Sequence, residues 1–520
     1  MLNQKFNLIS FNLGININLK LGKLIPEFKM LLLGIDIGTS SIKASVVDSV
    51  SQKLISSSQF PENESPIESL YPGWAEQSPE LWWDHVQKAI LLCHQSKKYD
   101  PHDIGAIGIG YQMHGLVIVD KNHSVLRNSI IWCDSRSVEI GEKAFHSIGE
   151  GVCLSRLLNS PGNFTASKLA WVKKNEPEIY GRIDKIMLPG DFIGLKLTGE
   201  ITTSISSLSE GIFFDFLNNE LSQDILNYFG FSRSFFPEIK PVFSHHGNLL
   251  KHIAFQLGLK EGIPLGYKAG DQPNNALSLN VFNPGEVAAT GGTSGVIYAV
   301  TDKLITDPQS RINTFAHVNH TAKDPRFGVL LCINGTGSMN RWAKNNFHSH
   351  FTYSEMNAAA GKIKPGSEGL RILPFGNGAE RMLGNRLLGA RIEHIDVNLH
   401  NQDHLFRGVQ EGIAFSFRYG LDIMRENGLS PKVIRAGKAN LFLSGVFTKT
   451  FVEITGIPIE LFNHDGSKGA ALGAGIGIGL YANPQEAFQN MEILEWVEPT
   501  GSGELESIYQ DWKRILGSLL

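Results

Sequence analysis

The chain has 520 residues, of which 42% are hydrophobic and 19% are charged, and its net charge is −4. This length exceeds what one hydrophobic core supports, and the composition excludes a disordered protein. No block of lysine and arginine stands out, which argues against nucleic acid or an anionic membrane as the main partner. We therefore expect at least two globular domains that act on a small ligand.

Cysteine spacing and hydropathy indicate the compartment. The four cysteines are far apart in sequence and form no CxxC motif, which argues against a disulfide framework or a zinc site. No apolar run approaches the roughly 18 residues that a membrane-spanning helix needs. We expect a cytoplasmic protein without a membrane partner. The oligomeric state stays open, and a homodimer is compatible with the sequence.

Residues 1–29 differ from the rest of the chain. They are rich in Asn and Lys, and they contain no signal-peptide cleavage pattern. The first periodic strand pattern opens at Met30. We interpret residues 1–29 as an over-called translation start or a loose extension.

Two similar phrases occur in the chain, GIDIGTSSIK at 34–43 and ATGGTSGVIY at 289–298. In each, alternating apolar stretches precede and follow Gly-Thr-Ser, which predicts a β-hairpin. The predicted strands cover 30–36, 42–48, 286–290 and 295–300. Glycine lets backbone N–H groups approach a ligand closely, and the hydroxyl groups add donors. The repetition therefore predicts two loops that hold one polyphosphate from both sides.

The two copies differ at one position that matters chemically. Asp36 lies two residues before the first Gly-Thr-Ser, and Thr290 takes its place in the second copy. A carboxylate at that point can order Mg²⁺ or its waters. We therefore expect the metal only at the first loop.

The remaining elements continue this pattern in chain order. Between the hairpins, strands are predicted over 53–59, 104–109, 116–120 and 129–132, and helices over 80–95, 153–176 and 185–199. After the second hairpin, helices are predicted over 337–346, 404–426 and 468–481, and a strand over 433–436. Polar motifs follow the strands, as is typical of an open α/β sheet. Two α/β halves that each open with a hairpin indicate a duplication around a central cleft.

A series of longer motifs extends over residues 30–520. They are PGWAEQSPELWW at 72–83, YQMHG at 111–115, IWCDSR at 131–136, NFTASKLAWV at 163–172, MLPGDFIGLKLTGE at 187–200, AGDQPNNA at 269–276, LPFGNGAER at 373–381 and GAALGAG at 469–475. Together with the two hairpin phrases, they resemble the FGGY family of carbohydrate kinases, and within it the xylulokinases.

The resemblance implies an α/β fold of the actin and hexokinase type. Two ribonuclease-H-like domains would surround a central cleft and close over ATP and a sugar. We expect an N-terminal domain over 30–272 on the sugar side and a C-terminal domain over 273–482 on the nucleotide side. A C-terminal helical tail is expected over 483–520.

The resemblance also implies the catalytic groups. Asp271 matches the aspartate of the family's GGD segment, which makes it the catalytic base and a metal-side carboxylate. Such a group is needed because a sugar hydroxyl must lose its proton as the phosphoryl group transfers. Asp36 matches the family's first-strand aspartate near Mg²⁺. We expect Asp36 to organise metal and phosphate rather than to transfer a proton.

Sugar contacts are expected from residues beside the base. Met113 and His114 match a sugar-contact pair of the family, since imidazole can exchange hydrogen bonds and methionine can pack on the carbon face of a sugar. Gln272, next to the base, is also assigned to the sugar. Asp134 and Arg136 have two interpretations of equal weight, as further sugar-side groups or as a buried ion pair that holds the loop.

Nucleotide contacts are expected from both hairpin turns and from one later loop. The residues are Gly38, Thr39, Ser40, Lys43, Gly292, Thr293, Ser294, Gly295, Gly437, Lys438 and Asn440. The chain departs from the family pattern in this loop, where AGKAN at 436–440 has a lysine in place of a common glycine. Lys438 either reaches a phosphate or points to solvent.

These features predict a kinase that uses ATP and Mg²⁺ to convert D-xylulose to D-xylulose 5-phosphate. Another ketose, a polyol or a gluconate remains an alternative substrate, because these differ mainly in hydroxyl stereochemistry. A non-catalytic ATP switch of the actin or chaperone type would share the two loops but leave Asp271 and QMHG without a purpose. A nucleotide-dependent dehydrogenase is disfavoured because neither a GxGxxG that opens a helix nor a GxxxxGK[ST] loop is present.

Overall fold

The computed structural model describes residues 30–463 and 465–520. The interpretation of residues 1–29 lies outside the described residues. In the part of the chain that is described, no helix has the length and apolar character needed to cross a membrane.

A five-stranded sheet forms the centre of the N-terminal half. Its strands are β1 (Leu31–Ile37), β2 (Ile42–Asp48), β3 (Leu54–Phe60), β4 (Ile104–Tyr111) and β5 (Leu265–Gly270). The order across the sheet is β5-β4-β1-β2-β3, in which β1, β4 and β5 are parallel and β2 is antiparallel to both neighbours. The first predicted hairpin is therefore confirmed as β1 and β2.

A seven-stranded sheet forms the centre of the C-terminal half. Its strands are β6 (Glu286–Gly291), β7 (Gly295–Thr301), β8 (Asn313–Ala316), β9 (Phe327–Ile333), β10 (Val433–Gly437), β11 (Ile459–Phe462) and β12 (Ile493–Val497). The inner order, β9-β7-β6-β10-β11, repeats the order and the strand directions of the first sheet. The predicted duplication and the two-domain α/β fold class are confirmed.

Helices cover the faces of both sheets. The longer ones are α1 (Pro79–Gln95), α2 (Val138–Ile148), α3 (Thr165–Asn175), α4 (Pro189–Thr198), α5 (Ile205–Glu210), α6 (Gln223–Phe229), α7 (Lys251–Leu257), α8 (Asp271–Ser278), α9 (Gly337–Phe347), α10 (Tyr353–Gly361), α11 (Gln402–Glu426), α12 (Gly445–Thr455), α13 (Gly466–Gly477) and α14 (Glu504–Gly517). Two-residue and three-residue strand pairs join Glu76–Gln77 to Ser129–Ile130, Val117–Val119 to Lys185–Met187, Thr202–Thr203 to Glu238–Ile239, Phe214–Asp215 to Glu220–Leu221 and Arg371–Leu373 to Arg391–Glu393.

Two helix predictions are wrong in part. The segment predicted as a helix over 185–199 begins with the strand Lys185–Met187, and α4 starts only at Pro189, where proline favours the first helical turn. The segment predicted as a helix over 153–176 is interrupted before α3. Gly162 there has a φ of 37°, outside the helical region, and Pro161 lacks the N–H group that a helix needs.

Helix α13 connects the two halves although it follows strand β11 of the second sheet in sequence. It packs on β1, β4 and β5 of the first sheet, where glycines allow the backbones to approach closely. Helix α8 spans the predicted boundary between residues 272 and 273, and the predicted helical tail also supplies the edge strand β12. The division into domains stays a prediction, and the contact through α13 holds the two halves around one cleft.

Candidate active site

The carboxyl ends of the parallel strands β1, β4 and β5 meet at one edge of the first sheet. Asp36 lies near the end of β1, the segment 111–114 ends β4, and Asp271 follows β5 directly. A cavity of about 480 Å³ opens at this edge and is here called the central cavity. Its lining includes Thr39, Met113, His114, Trp132, Asp271 and Gln272 from the first half, and Ser294, Cys332, Asn334 and Arg381 from the second.

Asp271 is the first residue of α8 and lines the central cavity. Burial, and then the negative charge of Asp36, raise the pKa of Asp271 to about 7, while hydrogen bonds from the backbone and side chain of Gln272 act in the opposite direction. A carboxylate whose pKa lies near neutral pH can accept a proton there without being permanently protonated.

Asp36 is the second carboxylate at this edge. Burial and the neighbouring Asp465 raise the pKa of Asp36 to about 6, and Lys43, its partner in the β1–β2 register, opposes them. Asp465 also caps α13, accepting the Ser467 N–H at 2.8 Å. The first hairpin and the start of α13 therefore share one negatively charged region.

His114 lines the central cavity with a defined tautomer. Its Nδ1 lies 2.9 Å from the backbone carbonyl of Glu210, which requires the proton on Nδ1 and leaves Nε2 as an acceptor. Burial, and then the charge of Lys168, lower the pKa of His114 to about 3. The imidazole is thus neutral, and it can accept a hydrogen bond from a hydroxyl group.

Gln272 contributes an acceptor whose hydrogen bond is not satisfied within the described protein. Its Oε1 is buried without a partner among the described residues, and the side chain lines the central cavity. A buried polar atom without a partner is costly, so a ligand hydroxyl at this point is favourable. Met113 supplies an apolar wall beside it.

Asp134 and Arg136 form a buried ion pair. Arg136 Nη2 lies 2.7 Å from Asp134 Oδ2, both side chains are almost completely buried, and Glu76 lies 2.6 Å from Arg136 Nη1. The guanidinium is 3.7 Å from the ring centre of Trp74. Neither residue is among the described residues that line the central cavity. Of the two interpretations, the ion pair that holds the loop describes the structure.

The first hairpin turn is tied to the central cavity through Thr39. Its hydroxyl donates to Gln112 Oε1 at 3.0 Å and accepts from Trp132 Nε1 at 2.9 Å. Trp132 is half exposed and lines the cavity, and the sequence analysis did not predict it. Its place at the end of the strand predicted over 129–132, in the IWCDSR motif, was the available signal.

The second hairpin turn borders a further cavity of about 320 Å³, here called the hairpin cavity. Its lining includes Gly292, Thr293, Asn340, Arg341, Tyr353, Asn357, Asn440 and Ser444. The carbonyls of Gly292 and Thr293 each accept a hydrogen bond at 3.0 Å from the first turn of α9. Asn340 Oδ1 is buried without a partner in the described chain. Asn340 was not predicted, since α9 carries no recognisable motif.

Other predicted nucleotide residues lie apart from this cavity. Lys438 Nζ lies 3.1 Å from a carboxyl oxygen of Glu495 on β12. The charge of Lys438 is therefore paired within the protein and does not depend on a phosphate. Gly437 precedes it at the end of β10, and Gly295 packs against Phe417. Gly38, Ser40 and Lys43 belong to the first hairpin and are not among the described residues that line either cavity.

A third cavity, of about 630 Å³, lies along α9 and is lined by residues such as Trp342, Asn345, Asn377 and Ile392. It contains none of the predicted site residues. Among residues 30–463 and 465–520, none that lines it is a carboxylate that could serve as a base. The central cavity therefore remains the candidate active site.

Comparisons with known proteins identify the family of the chain. The N-terminal domain model of the FGGY family of carbohydrate kinases matches residues 31–278. The xylulose kinase of Haemophilus influenzae is 30% identical over 412 residues, which are 78% of this chain and 81% of that protein. The xylulose kinase of Staphylococcus epidermidis is 29% identical over 521 residues, covering 95% of this chain and 99% of that protein.

A solved structure shows the same fold. The ligand-bound xylulose kinase from Lactobacillus acidophilus superposes with a TM-score of 0.85 at 21% identity, covering 94% of this chain and 98% of the other. The fold, the family model and the similarity over most of both chains lead to one conclusion. The chain belongs to the FGGY family of carbohydrate kinases and is therefore an enzyme that transfers a phosphoryl group from ATP to a carbohydrate.

Proposed function

We propose that the protein phosphorylates D-xylulose to D-xylulose 5-phosphate with ATP and Mg²⁺. The central observation is Asp271, a partly buried carboxylate with a pKa of about 7 in a cavity lined by both halves of the chain. The choice of sugar is supported by the relatives named as xylulose kinases, at 27% to 30% identity.

Asp271 acts as the general base in this proposal. The sugar hydroxyl transfers its proton to the carboxylate as its oxygen attacks the γ-phosphorus and the bond to the β-phosphate oxygen breaks. Asp36 raises the pKa of Asp271, so that the base is strong enough to accept this proton. Hydrogen bonds from Gln272 hold the carboxylate in place.

The sugar is held by neutral hydrogen-bonding groups and one apolar wall. His114 Nε2 and Gln272 Oε1 both accept hydrogen bonds, which suits a ligand rich in hydroxyl groups. Met113 packs against the carbon face. A site with such partners discriminates strongly against a sugar whose hydroxyl points elsewhere, because a buried polar atom would lose its partner.

The polyphosphate lies between the two hairpin turns. Thr39 is next to the central cavity, Ser294 lines it from the other half, and Gly292 and Thr293 line the hairpin cavity. The base of the nucleotide enters the hairpin cavity, where Asn340 Oδ1 offers an acceptor and Asn440 lines the wall.

The donor set suits Mg²⁺ at the first hairpin. No cluster of three or more His, Cys, Asp or Glu side chains that could hold a metal ion occurs within the described residues, so these residues provide no complete metal cage. Mg²⁺ is typically held by one or two carboxylates together with waters and substrate phosphates, and Asp36 and Asp271 fit this requirement. When bound, the ion would neutralise charge on the transferring phosphate.

The test is ATP turnover by the purified protein on a panel of pentuloses, hexuloses, polyols and gluconate. We expect the highest kcat/KM for D-xylulose, with Mg²⁺ required. A higher kcat/KM for another sugar would support the kinase activity but show that D-xylulose is not the preferred substrate. Absence of turnover on the whole panel, with tight ATP binding, would favour the non-catalytic ATP switch.

A further inference from the structure

Glu210 is a buried carboxyl group with no role in the proposed mechanism. It is the last residue of α5, and only 2% of its surface is exposed. It is not among the described residues that line either cavity. Its side chain lies instead behind the segment 111–114 that carries the sugar contacts.

Both carboxyl oxygens of Glu210 contact this segment. Oε1 accepts a hydrogen bond from the Tyr111 hydroxyl at 2.8 Å, and Oε2 accepts one from the backbone N–H of His114 at 3.2 Å. The backbone carbonyl of Glu210 accepts the third, from His114 Nδ1. Glu210 therefore contacts Tyr111 at the start of the sugar-contact segment and both the backbone and the ring of His114 at its end.

His114 requires such support because its backbone is strained. Its φ is 63°, a left-handed conformation that is unfavourable for a residue with a side chain. Lys168 Nζ and Thr165 Oγ1 donate to its carbonyl at 2.9 and 3.2 Å, and Phe164 packs against the ring. Glu210 is the acceptor that faces its N–H group.

Glu210 also lies against the end of strand β5, directly before the base. A Cβ atom added to Gly270, the residue before Asp271, would be 3.2 Å from Glu210 Oε1 and 2.6 Å from Met113 Cγ. The carboxyl group thus fills the space between the sugar-contact segment and the base.

We propose that Glu210 is a positioning residue for sugar binding, which fixes His114 so that Nε2 faces the sugar as an acceptor. This inference rests on the proposed function, in which His114 contacts the sugar. Its effect comes from acceptor geometry rather than from charge. Burial raises the pKa of Glu210 well above its usual range, which favours the neutral acid that glutamine resembles.

The test compares Glu210→Met, which removes both acceptors at similar size, with Glu210→Gln, which keeps an oxygen for the His114 N–H. We expect Glu210→Met to raise the KM for D-xylulose about tenfold or more, with the KM for ATP within about twofold, and Glu210→Gln to remain near the wild-type values. In a His114→Ala background, Glu210→Met should change the sugar KM by less than about twofold, because the two residues act as one unit.

The control variant is Asp215→Leu. Asp215 is a buried carboxylate that also accepts two backbone N–H groups, at 2.9 and 3.0 Å, and it is not among the described residues lining the central cavity. We expect this change to lower thermal stability without a selective rise in the sugar KM. A rise equal to that of Glu210→Met would reduce Glu210 to a general structural role and overturn the inference.

The remaining outcomes separate the two proposals. If His114→Ala leaves the sugar KM unchanged, the assignment of His114 to the sugar is wrong and the inference falls with it. If His114→Ala raises the sugar KM but Glu210→Met does not, only the inference is wrong. If Glu210→Met does not fold, a tenfold rise of the sugar KM in Glu210→Gln still contradicts it.

Discussion

Asp271 and Asp36 are two partly buried carboxylates at one edge of the first sheet, and the negative charge of Asp36 affects the protonation of Asp271. Asp36 raises the pKa of Asp271, and Asp465 in turn raises that of Asp36. Such an arrangement disfavours the state in which all of these neighbouring carboxylates are ionised. This is typical of sites where a carboxylate must accept a proton near neutral pH. The individual roles of the two residues can be separated by substitution.

Asp271→Asn should slow turnover strongly while both ligands still bind. Asparagine keeps the size and most hydrogen bonds of the side chain but cannot accept the hydroxyl proton, so we expect the rate to fall roughly 100-fold to 10,000-fold. Single-turnover phosphorylation measures the rate, and calorimetry measures the affinities. Asp215→Asn serves as the control outside the cavity. Turnover near the wild-type rate would remove Asp271 from the role of base.

The pH dependence should report the Asp271 carboxylate. A base must be deprotonated to act, so kcat/KM for the sugar should rise with pH and level off above a midpoint of about 7. Asp36→Asn removes the negative neighbour that raises this pKa. We therefore expect the Asp271 midpoint, followed by NMR in the metal-free protein, to move to lower pH in that variant, because no bound cation then opposes the effect of the lost negative charge. A midpoint that stays in place, or moves upward, would contradict the coupling.

At the scale of elements, the contact between α13 and the first sheet determines how the halves are joined. Gly34 on β1 and Gly108 on β4 face the helix backbone, and an added Cβ would lie 1.8 and 2.0 Å from the carbonyl oxygens of Ser467 and Ala470. No side chain fits at these distances. The start of the same helix is tied to α8, because Asn274 Nδ2 donates to the Gly466 carbonyl at 3.0 Å.

Gly34→Ala should therefore be strongly destabilising. We expect the free energy of unfolding to fall by about 1–3 kcal/mol or more, because the atom that is displaced belongs to the backbone. Gly445→Ala is the matched control, since Gly445 opens α12 and a Cβ there meets open space. Urea unfolding of both variants tests the comparison. Equal stability of the two variants would show that α13 packs differently in solution.

At the scale of the whole molecule, the candidate active site is built from both halves of the chain. The central cavity combines Asp271 and His114 of the first half with Ser294 and Arg381 of the second. A ligand that touches both halves is bound best when they are close together, so binding shifts the population toward a closed form.

We expect the radius of gyration from small-angle X-ray scattering to decrease when D-xylulose and a non-hydrolysable ATP analogue are both present. The sugar alone should give a smaller change, because it lacks the polyphosphate that spans the two hairpin turns. Asp271→Asn should close in the same way, since it keeps the binding groups. An unchanged radius, with both ligands bound by calorimetry, would contradict closure.

The sequence by itself determined the two hairpins, the repeated order of α/β elements and the residues at the strand ends. These features depend on local patterns, namely alternating apolar residues, glycine turns and motifs of neighbouring residues. For the same reason Asp271, His114 and Gln272 were predicted before the central cavity was known. Their roles remain predictions, and the structure shows that they line one space.

Only the tertiary structure decided which polar residues face the cavity and which are used internally. Asp134 and Arg136 pair with each other, and Lys438 pairs with Glu495, although all three had been candidates for ligand contacts. Glu210, in contrast, belongs to no recognised motif and reaches His114 across 96 residues of sequence. Contacts of this kind depend on how distant elements pack, and a local pattern of residues carries no information about them.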